Sequence, residues 1–197
     1  MNKALRILHD EHRSLAAVLH GLRHLAQASR DATVRPRFEV FRAMLRYIDE
    51  FPERLHHPKE DAYLFERLAA RAPETAPLIE ALRAEHVESL ERVRVLERAL
   101  DEYERSWPHW SGPFVAAVED YAEFHRAHMQ REEFEVLPAA ERALTAEDWR
   151  AIEEAFAGNE DPIADLREQD LAQLYTRIVS IAPAPIGLGA RWDQAPG

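Results

Sequence analysis

The sequence predicts an all-α protein: a bundle of long helices with one or two additional helices at the C-terminal end. Four long segments carry hydrophobic residues at steps of three and four, which places them on one face of a helix. Short connections containing proline or glycine separate these segments, and each segment has a histidine within its hydrophobic series. At 197 residues the chain has about the length of one domain.

The first predicted helix covers about residues 3–29. Its hydrophobic stripe consists of Leu5, Leu8, Leu15, Leu19 and Leu22. His12 lies inside this stripe, where a histidine is either a hydrogen-bonded core residue or a ligand. His9, one turn earlier, could support a ligand, whereas His20 and His24 lie off the stripe and are predicted to be exposed.

The second predicted helix covers about residues 37–70, and its central part carries a pair of potential metal ligands. His56 and Glu60 are four residues apart, a spacing that stacks their side chains on one helix face. Pro52 and Pro58 predict a kink or local break beside this pair. His57 is an alternative partner for Glu60, but the stripe that begins with Phe41, Leu45 and Ile48 favours His56.

The third predicted helix covers about residues 77–105. Its hydrophobic residues are Ile79, Leu82, Val93, Leu96 and Leu100. His86 interrupts this series near the middle, at a position where the helix is expected to face the core. The histidine therefore repeats the pattern of the first two helices.

The fourth predicted helix covers about residues 114–144 and carries the largest number of polar core positions. His128 and Glu132 are again four residues apart, and His125 lies in line with them. A hydrophobic core would not accept such a half-stripe without compensation. We assign His125 a supporting or pocket-lining role.

The C-terminal quarter differs from the rest of the chain. Thr145 followed by acidic residues predicts an N-cap and a short helix to about residue 157. A further amphipathic helix is predicted at about 162–181, before a tail rich in proline and glycine. The predicted organisation is a bundle at 1–145, a helical extension packed on it at 146–182, and a tail at 183–197.

Composition excludes several classes of function. The chain has 36 acidic and 25 basic residues, a formal charge of −11, which disfavours nucleic acid or an anionic membrane as partner. It has no cysteine, so disulfides, thiolate zinc sites, iron–sulfur ligation and cysteine nucleophiles are excluded. No uncharged hydrophobic run reaches the roughly 18 residues of a membrane span, and the expected location is the cytoplasm.

The polar core positions need a shared explanation, because a buried histidine or glutamate costs several kcal/mol unless it is paired or coordinated. A metal supplies one, and a set of nitrogen and oxygen donors suits iron, manganese or zinc. If two glutamates bridge two metals and each metal takes two histidines, a bridging oxygen brings each to five ligands. An octahedral ion then keeps one position for a small ligand such as dioxygen, peroxide or nitric oxide.

Four motifs carry a family resemblance: EHRSL, LHHPKEDAYLF, AEH and HMQREEFEVLP, one on each long helix. Together they resemble the hemerythrin-like, or HHE cation-binding, family over about residues 1–145. The resemblance implies an up-down-up-down four-helix bundle with a non-haem centre of two iron ions. The ligands it implies are His12, His56, Glu60, His86, His128 and Glu132.

One departure from the oxygen-carrying hemerythrins directs the functional prediction. Those proteins have two histidines four residues apart on the third helix, whereas Leu82 and Leu90 stand on either side of His86 here. The set of four histidines and two glutamates is more similar to bacterial iron–sulfur repair proteins and eukaryotic iron sensors. We therefore predict binding or sensing of dioxygen, nitric oxide, peroxide or iron itself, with a protein partner for signal output.

Two other functions are compatible with the sequence. One is a di-iron enzyme in nitric oxide, peroxide or iron–sulfur repair chemistry, so the sequence does not decide between a binding protein and an enzyme. The other is a ferritin-like oxidase, which needs two Glu-x-x-His motifs. Glu53 and His56 form one such motif, but the histidine-bearing helices contain no second one.

Overall fold

A computed structural model describes residues 3–31 and 33–157, together with residues 180 and 182. These residues form five helices and no strand, which confirms the predicted all-α class with a bundle and an extra helix. None of the described helices is both long enough and hydrophobic enough to cross a bilayer. The predicted helix at 162–181 and the tail lie almost entirely outside the described residues.

Four long helices and one shorter helix make up the described chain. In order they are α1 (Lys3–Ala28), α2 (residues 38–71), α3 (Ala76–Ser106), α4 (residues 111–143) and α5 (Ala146–Ala157). The four long helices agree with the predicted ones to within about three residues at each end. A single 3₁₀ turn, Pro73–Thr75, leads into α3.

Helix α2 is continuous, but two of its segments are widened into π-helical turns. Its parts are Phe38–Ile48, the π segment Asp49–His56, His57–Lys59, the π segment Glu60–Phe65, and Glu66–Arg71. Proline lacks the amide hydrogen, and its ring clashes with the carbonyl four residues earlier. The wider turn is compatible with Pro52, whose carbonyl accepts from the amide of His57, five residues later. The predicted break is thus a widening of the helix.

Helix α4 contains a third π segment. Its parts are Ser111–Arg131, the π segment Glu132–Val136, and Leu137–Ala143. The amide of Leu137 donates to the carbonyl of Glu132, again five residues apart. The three π segments end at His56 or begin at Glu60 and Glu132, and such turns are frequent at functional sites.

The hydrophobic core is divided into two clusters. The larger includes Leu22, Phe41, Met44, Leu96, Tyr103 and Phe114. The smaller includes Leu8, Leu64, Phe65, Leu82, Val136 and Ile152. On every long helix the polar core positions lie between these two sets, so hydrophobic packing closes the polar layer at both ends.

Helix α5 packs across α1 and the second π segment of α2. Phe156 is 2% exposed, and its ring lies edge-on to that of His56 with a centroid distance of 6.1 Å. Lys3 Nζ lies 2.8 Å from Glu153, and Arg71 Nε donates to Asp148 Oδ2 at 2.9 Å. These contacts hold α5 over the His56 side of the polar layer.

The start of α5 provides a test of this packing. The Asp148 carboxylate accepts from the amide and hydroxyl of Thr145 at 2.9 and 2.7 Å, as well as from Arg71. We predict that Asp148→Ala lowers the free energy of unfolding by about 1 kcal/mol, the usual effect of losing a helix cap. Urea denaturation measures it; Glu154→Ala, at an exposed position of α5, should leave stability nearly unchanged.

The same contact has a defined pH dependence. Hydrogen bonds from Thr145, followed by the Arg71 contact, lower the pKa of Asp148 to about 2. A group with a lowered folded-state pKa stabilises the fold above its unfolded pKa, about 3.9 for Asp, and this stabilisation is lost as pH falls through 2. Equal acid sensitivity of the wild type and Asp148→Ala would contradict this assignment.

Candidate metal centre

Six acidic and histidine side chains meet in the polar layer, all between 0% and 5% exposed. They are His12 on α1, His56 and Glu60 on α2, His86 on α3, and His128 and Glu132 on α4. These are the six residues that the sequence motifs single out. Every long helix of the bundle contributes at least one of them.

The four histidines form two pairs, each across neighbouring helices. His12 Nε2 lies 3.2 Å from His56 Nε2, and His86 Nε2 lies 3.1 Å from His128 Nε2. Two nitrogens that share one ion, each about 2.1 Å from it, are about 3 Å apart when adjacent. Each pair therefore has the spacing of two ligands on one cation.

Glu60 lies between the two pairs. Its Oε1 is 3.3 Å from His56 Nε2 and 3.8 Å from His12 Nε2, whereas its Oε2 is 3.7 Å from His86 Nε2. His57, the alternative partner in the sequence, turns instead toward Glu53. Glu60 therefore offers one oxygen to each histidine pair.

Glu132 repeats this arrangement from the opposite side. Its Oε1 is 3.1 Å from His128 Nε2 and 3.8 Å from His86 Nε2, and its Oε2 is 3.4 Å from His12 Nε2. All four oxygens of Glu60 and Glu132 are buried without a hydrogen-bond partner. Such groups are costly unless something pairs with them, and two cations between the histidine pairs would do so. The donor set fits a dinuclear site.

Neighbouring groups stabilise the ionised forms of histidine and glutamate within this buried layer. Burial opposes the charged form of His12, yet Glu133 and Glu60 raise its pKa to about 9. Burial and Glu132 oppose ionisation of Glu60, yet His56 and His12 lower its pKa to about 2. Imidazolium and carboxylate thus stabilise one another here. A cation would take the place of the imidazolium protons.

Four further carboxylates accept hydrogen bonds from the histidines on the ring side that faces away from the layer. The Nδ1 atoms of the histidines donate as follows: His56 to Glu11 at 2.8 Å, His86 to Asp61 at 3.1 Å, His128 to Glu85 at 2.8 Å and His12 to Glu133 at 3.2 Å. Each helix supplies a carboxylate to the histidine of the next, in a closed cycle. Such partners fix the ring and leave Nε2 for a metal.

These four carboxylates were not recognised from the sequence, although a signal was present. Each stands directly beside a candidate ligand: Glu11 before His12, Asp61 after Glu60, Glu85 before His86 and Glu133 after Glu132. Adjacent residues on a helix point about 100° apart, so the neighbour of an inward-facing ligand can reach the adjacent helix. Which helix it reaches depends on the packing.

The remaining histidines occupy different surroundings. His9 is about one-third exposed, with Nδ1 3.5 Å from Glu133 Oε1. His20 and His24 are exposed, as predicted. His57 is 4% exposed and stacks on His86, with ring centroids 4.1 Å apart and planes at 10°. It thus lies against the six-residue layer.

Two observations define the roles open to His57 and His125. A ring nitrogen of His57 lies within 4.8 Å of ring nitrogens of His86 and His128, so His57 is still an alternative ligand. His125 Nε2 instead lies 2.8 Å from the hydroxyl of Ser89. Burial lowers the pKa of both His57, to about 4, and His125. Neither carries the positive charge that is favoured on His12.

Comparison with known families agrees with this geometry. The family model described as Hemerythrin HHE cation binding domain matches residues 3–140, well over half of the chain. A search of curated proteins finds no match. The matched region contains all six side chains of the buried layer, and the buried histidine and glutamate clusters suit a metal cation site of the hemerythrin type. The chain therefore belongs to the hemerythrin HHE cation-binding family.

Proposed function

We propose that the protein binds two iron ions in this layer and uses them to bind or sense a small ligand. The ligand classes are dioxygen, nitric oxide or peroxide, or the iron itself. The observation that supports this most strongly is the placement of Glu60 and Glu132. Each directs one oxygen to each histidine pair, and none of these oxygens has a hydrogen-bond partner.

The ligand count favours a metal that accepts more than four donors. His12 and His56 would hold one ion, His86 and His128 the other, and both glutamates would contribute to each. Tetrahedral zinc would be saturated by these four donors, whereas six-coordinate iron or manganese would keep positions for a bridging and an external ligand. Iron adds redox activity and Lewis acidity, and manganese or zinc could substitute structurally.

The surroundings of the site favour a small ligand. Hydrophobic clusters close both ends of the polar layer, and Phe156 covers the ring of His56. His57 lies against His86 on the other side. Closure of this kind excludes bulk water and favours a ligand of a few atoms over a larger substrate. A sensing role would need a protein partner for its output, which is part of the proposal.

The alternative is an enzyme that turns over nitric oxide or peroxide or acts in iron–sulfur repair. Multiple turnovers require groups that move protons near the metals. Glu53 is a candidate for such a group, because its carboxylate is 6% exposed and lies 3.5 Å from His57 Nδ1. Its position therefore favours the enzyme alternative.

The iron proposal predicts the effect of removing one bridge. Protein from iron-supplied cells should contain about two iron ions per chain, as expected for a paired site. The iron content of Glu60→Ala should fall below about one ion per chain, because both ions lose a carboxylate oxygen. Elemental analysis with Mössbauer spectroscopy measures this. His24→Ala, at an exposed position of α1, is the matched control; equal iron content in the two variants would contradict the assignment.

Reactivity separates the two functions. We expect the reduced iron protein to change its absorption spectrum on exposure to dioxygen or nitric oxide, and to recover it when the gas is removed. Reversible binding would support the binding or sensing role. Continuous consumption of nitric oxide or peroxide over many equivalents, measured with an electrode, would support the enzyme instead.

The carboxylates behind the histidines should tune metal affinity. Glu11 accepts from His56 Nδ1, so we predict that Glu11→Gln weakens iron binding about 10–100-fold without changing its stoichiometry. Competition with a chelator of known affinity measures the loss. Asp10→Asn alters the neighbouring carboxylate, which pairs with Arg13 at the surface, and should have no effect. If the wild type and Glu11→Gln bind iron with equal affinity, Glu11 does not support the metal ligands.

A further inference from the structure

A second buried polar cluster lies beside the candidate metal centre, one turn further along the bundle, and binding of a small ligand does not require it. Its members are Glu53 on α2, Ser89 on α3, and Tyr121 and His125 on α4, all between 0% and 6% exposed. His57 links this cluster to the metal layer through its contact with His86.

The hydrogen bonds of the cluster converge on Glu53. The Tyr121 hydroxyl donates to Glu53 Oε1 at 3.1 Å. The Ser89 hydroxyl donates its one hydrogen to the same oxygen of Glu53. The Ser89 oxygen therefore accepts the second hydrogen bond, which His125 Nε2–H donates at 2.8 Å. Glu53 Oε2 has no hydrogen-bond partner. The phenolic proton of Tyr121 is therefore directed at a carboxylate with unused acceptor capacity.

Protonation states in the cluster suit transfer of that proton. Burial opposes ionisation of Glu53, but its contacts with His125 and His57 hold the pKa of the carboxyl well below its usual range. Burial and then the charge of Glu53 raise the pKa of Tyr121 well above its usual value. The resting pair is thus a neutral phenol and an ionised carboxylate. A phenol that has lost an electron is a strong acid, and Glu53 is placed to receive its proton.

Aromatic rings connect Tyr121 to a candidate metal ligand. The ring centroids of Tyr121 and His125 are 4.5 Å apart, and those of His125 and His128 are 6.0 Å apart. His128 Nε2 faces Glu132 in the metal layer. An electron leaving Tyr121 therefore has a short route to the centre, while its proton has a separate, shorter route to Glu53.

We propose that Tyr121 is a redox-active residue that gives one electron to the metal centre and its phenolic proton to Glu53. This rests on the proposed iron site, and the oxidant is peroxide. Peroxide takes two electrons and two solvent protons, its O–O bond breaks, and two water molecules form. One electron comes from a half-reduced metal pair and the other from Tyr121. The Tyr121 O–H bond breaks as a proton joins Glu53, which leaves a neutral tyrosyl radical.

A second buried tyrosine provides a matched comparison. Tyr103 is 0% exposed, and its hydroxyl donates to the backbone carbonyl of Ser29 at 2.7 Å. A carbonyl oxygen is too weak a base to take up the proton. Tyr103 is as buried as Tyr121, which is 1% exposed, but it lacks a proton acceptor, so radical formation should distinguish the two residues.

The experiment is freeze-quench EPR of the iron-loaded protein, reduced by one electron equivalent and mixed with peroxide. We expect a sharp organic-radical resonance that narrows when the protein contains ring-deuterated tyrosine. Tyr121→Phe should abolish the signal, and Tyr103→Phe should retain it. Glu53→Gln, which keeps Tyr121 but replaces the proton acceptor with an amide, should also lose it. Iron content and peroxide consumption are measured in every sample.

The outcomes are distinct. A tyrosyl signal that survives in Tyr121→Phe, or that is lost equally in Tyr103→Phe, would overturn the assignment. If the wild type binds iron and consumes peroxide but gives no tyrosyl signal, the inference falls while the proposed function stands. A chain that binds no iron would overturn both.

Discussion

Two buried carboxylates without hydrogen-bond partners, Glu60 and Glu132, are the constraint on which the rest of this structure depends. Each is nearly inaccessible, and together they place two negative charges between four imidazoles. Such an arrangement costs several kcal/mol unless positive charge accompanies it. Imidazolium protons can supply that charge, and two cations bound between the histidines would supply it as well. The bundle can be understood as a means of holding this layer.

The surrounding structure serves this layer in three ways. Hydrophobic clusters on both sides keep water away and strengthen every electrostatic interaction within it. The cycle of outer carboxylates, in which each helix holds the histidine of the next, fixes the imidazoles with Nε2 directed inward. The π segments at Glu60 and Glu132 set the local register of the two helices that supply the carboxylates.

The sequence predicted the helices and the six-residue layer because both follow from local periodicity. A histidine in a hydrophobic stripe, or a His and a Glu four residues apart, is visible in one helix without knowledge of its neighbours. The contacts of the outer carboxylates and of Glu53 depend on which helices are adjacent and on their rotation, so the sequence alone did not predict them. Of the Glu53 cluster, the sequence assigned a supporting role to His125 alone. Pro52 and Pro58 correctly predicted a local departure from α-helical geometry in α2. Helix α2 stays continuous there and widens into π turns instead of breaking.

The arrangement of the buried layer would allow Glu60 and Glu132 to bridge two metal ions. Anomalous diffraction at the iron edge from crystals of the iron-loaded protein tests it most directly. We predict two peaks per chain, about 3.5–4 Å apart, one beside His12 and His56 and the other beside His86 and His128. A single peak in the layer, or peaks only at surface carboxylates, would contradict the account.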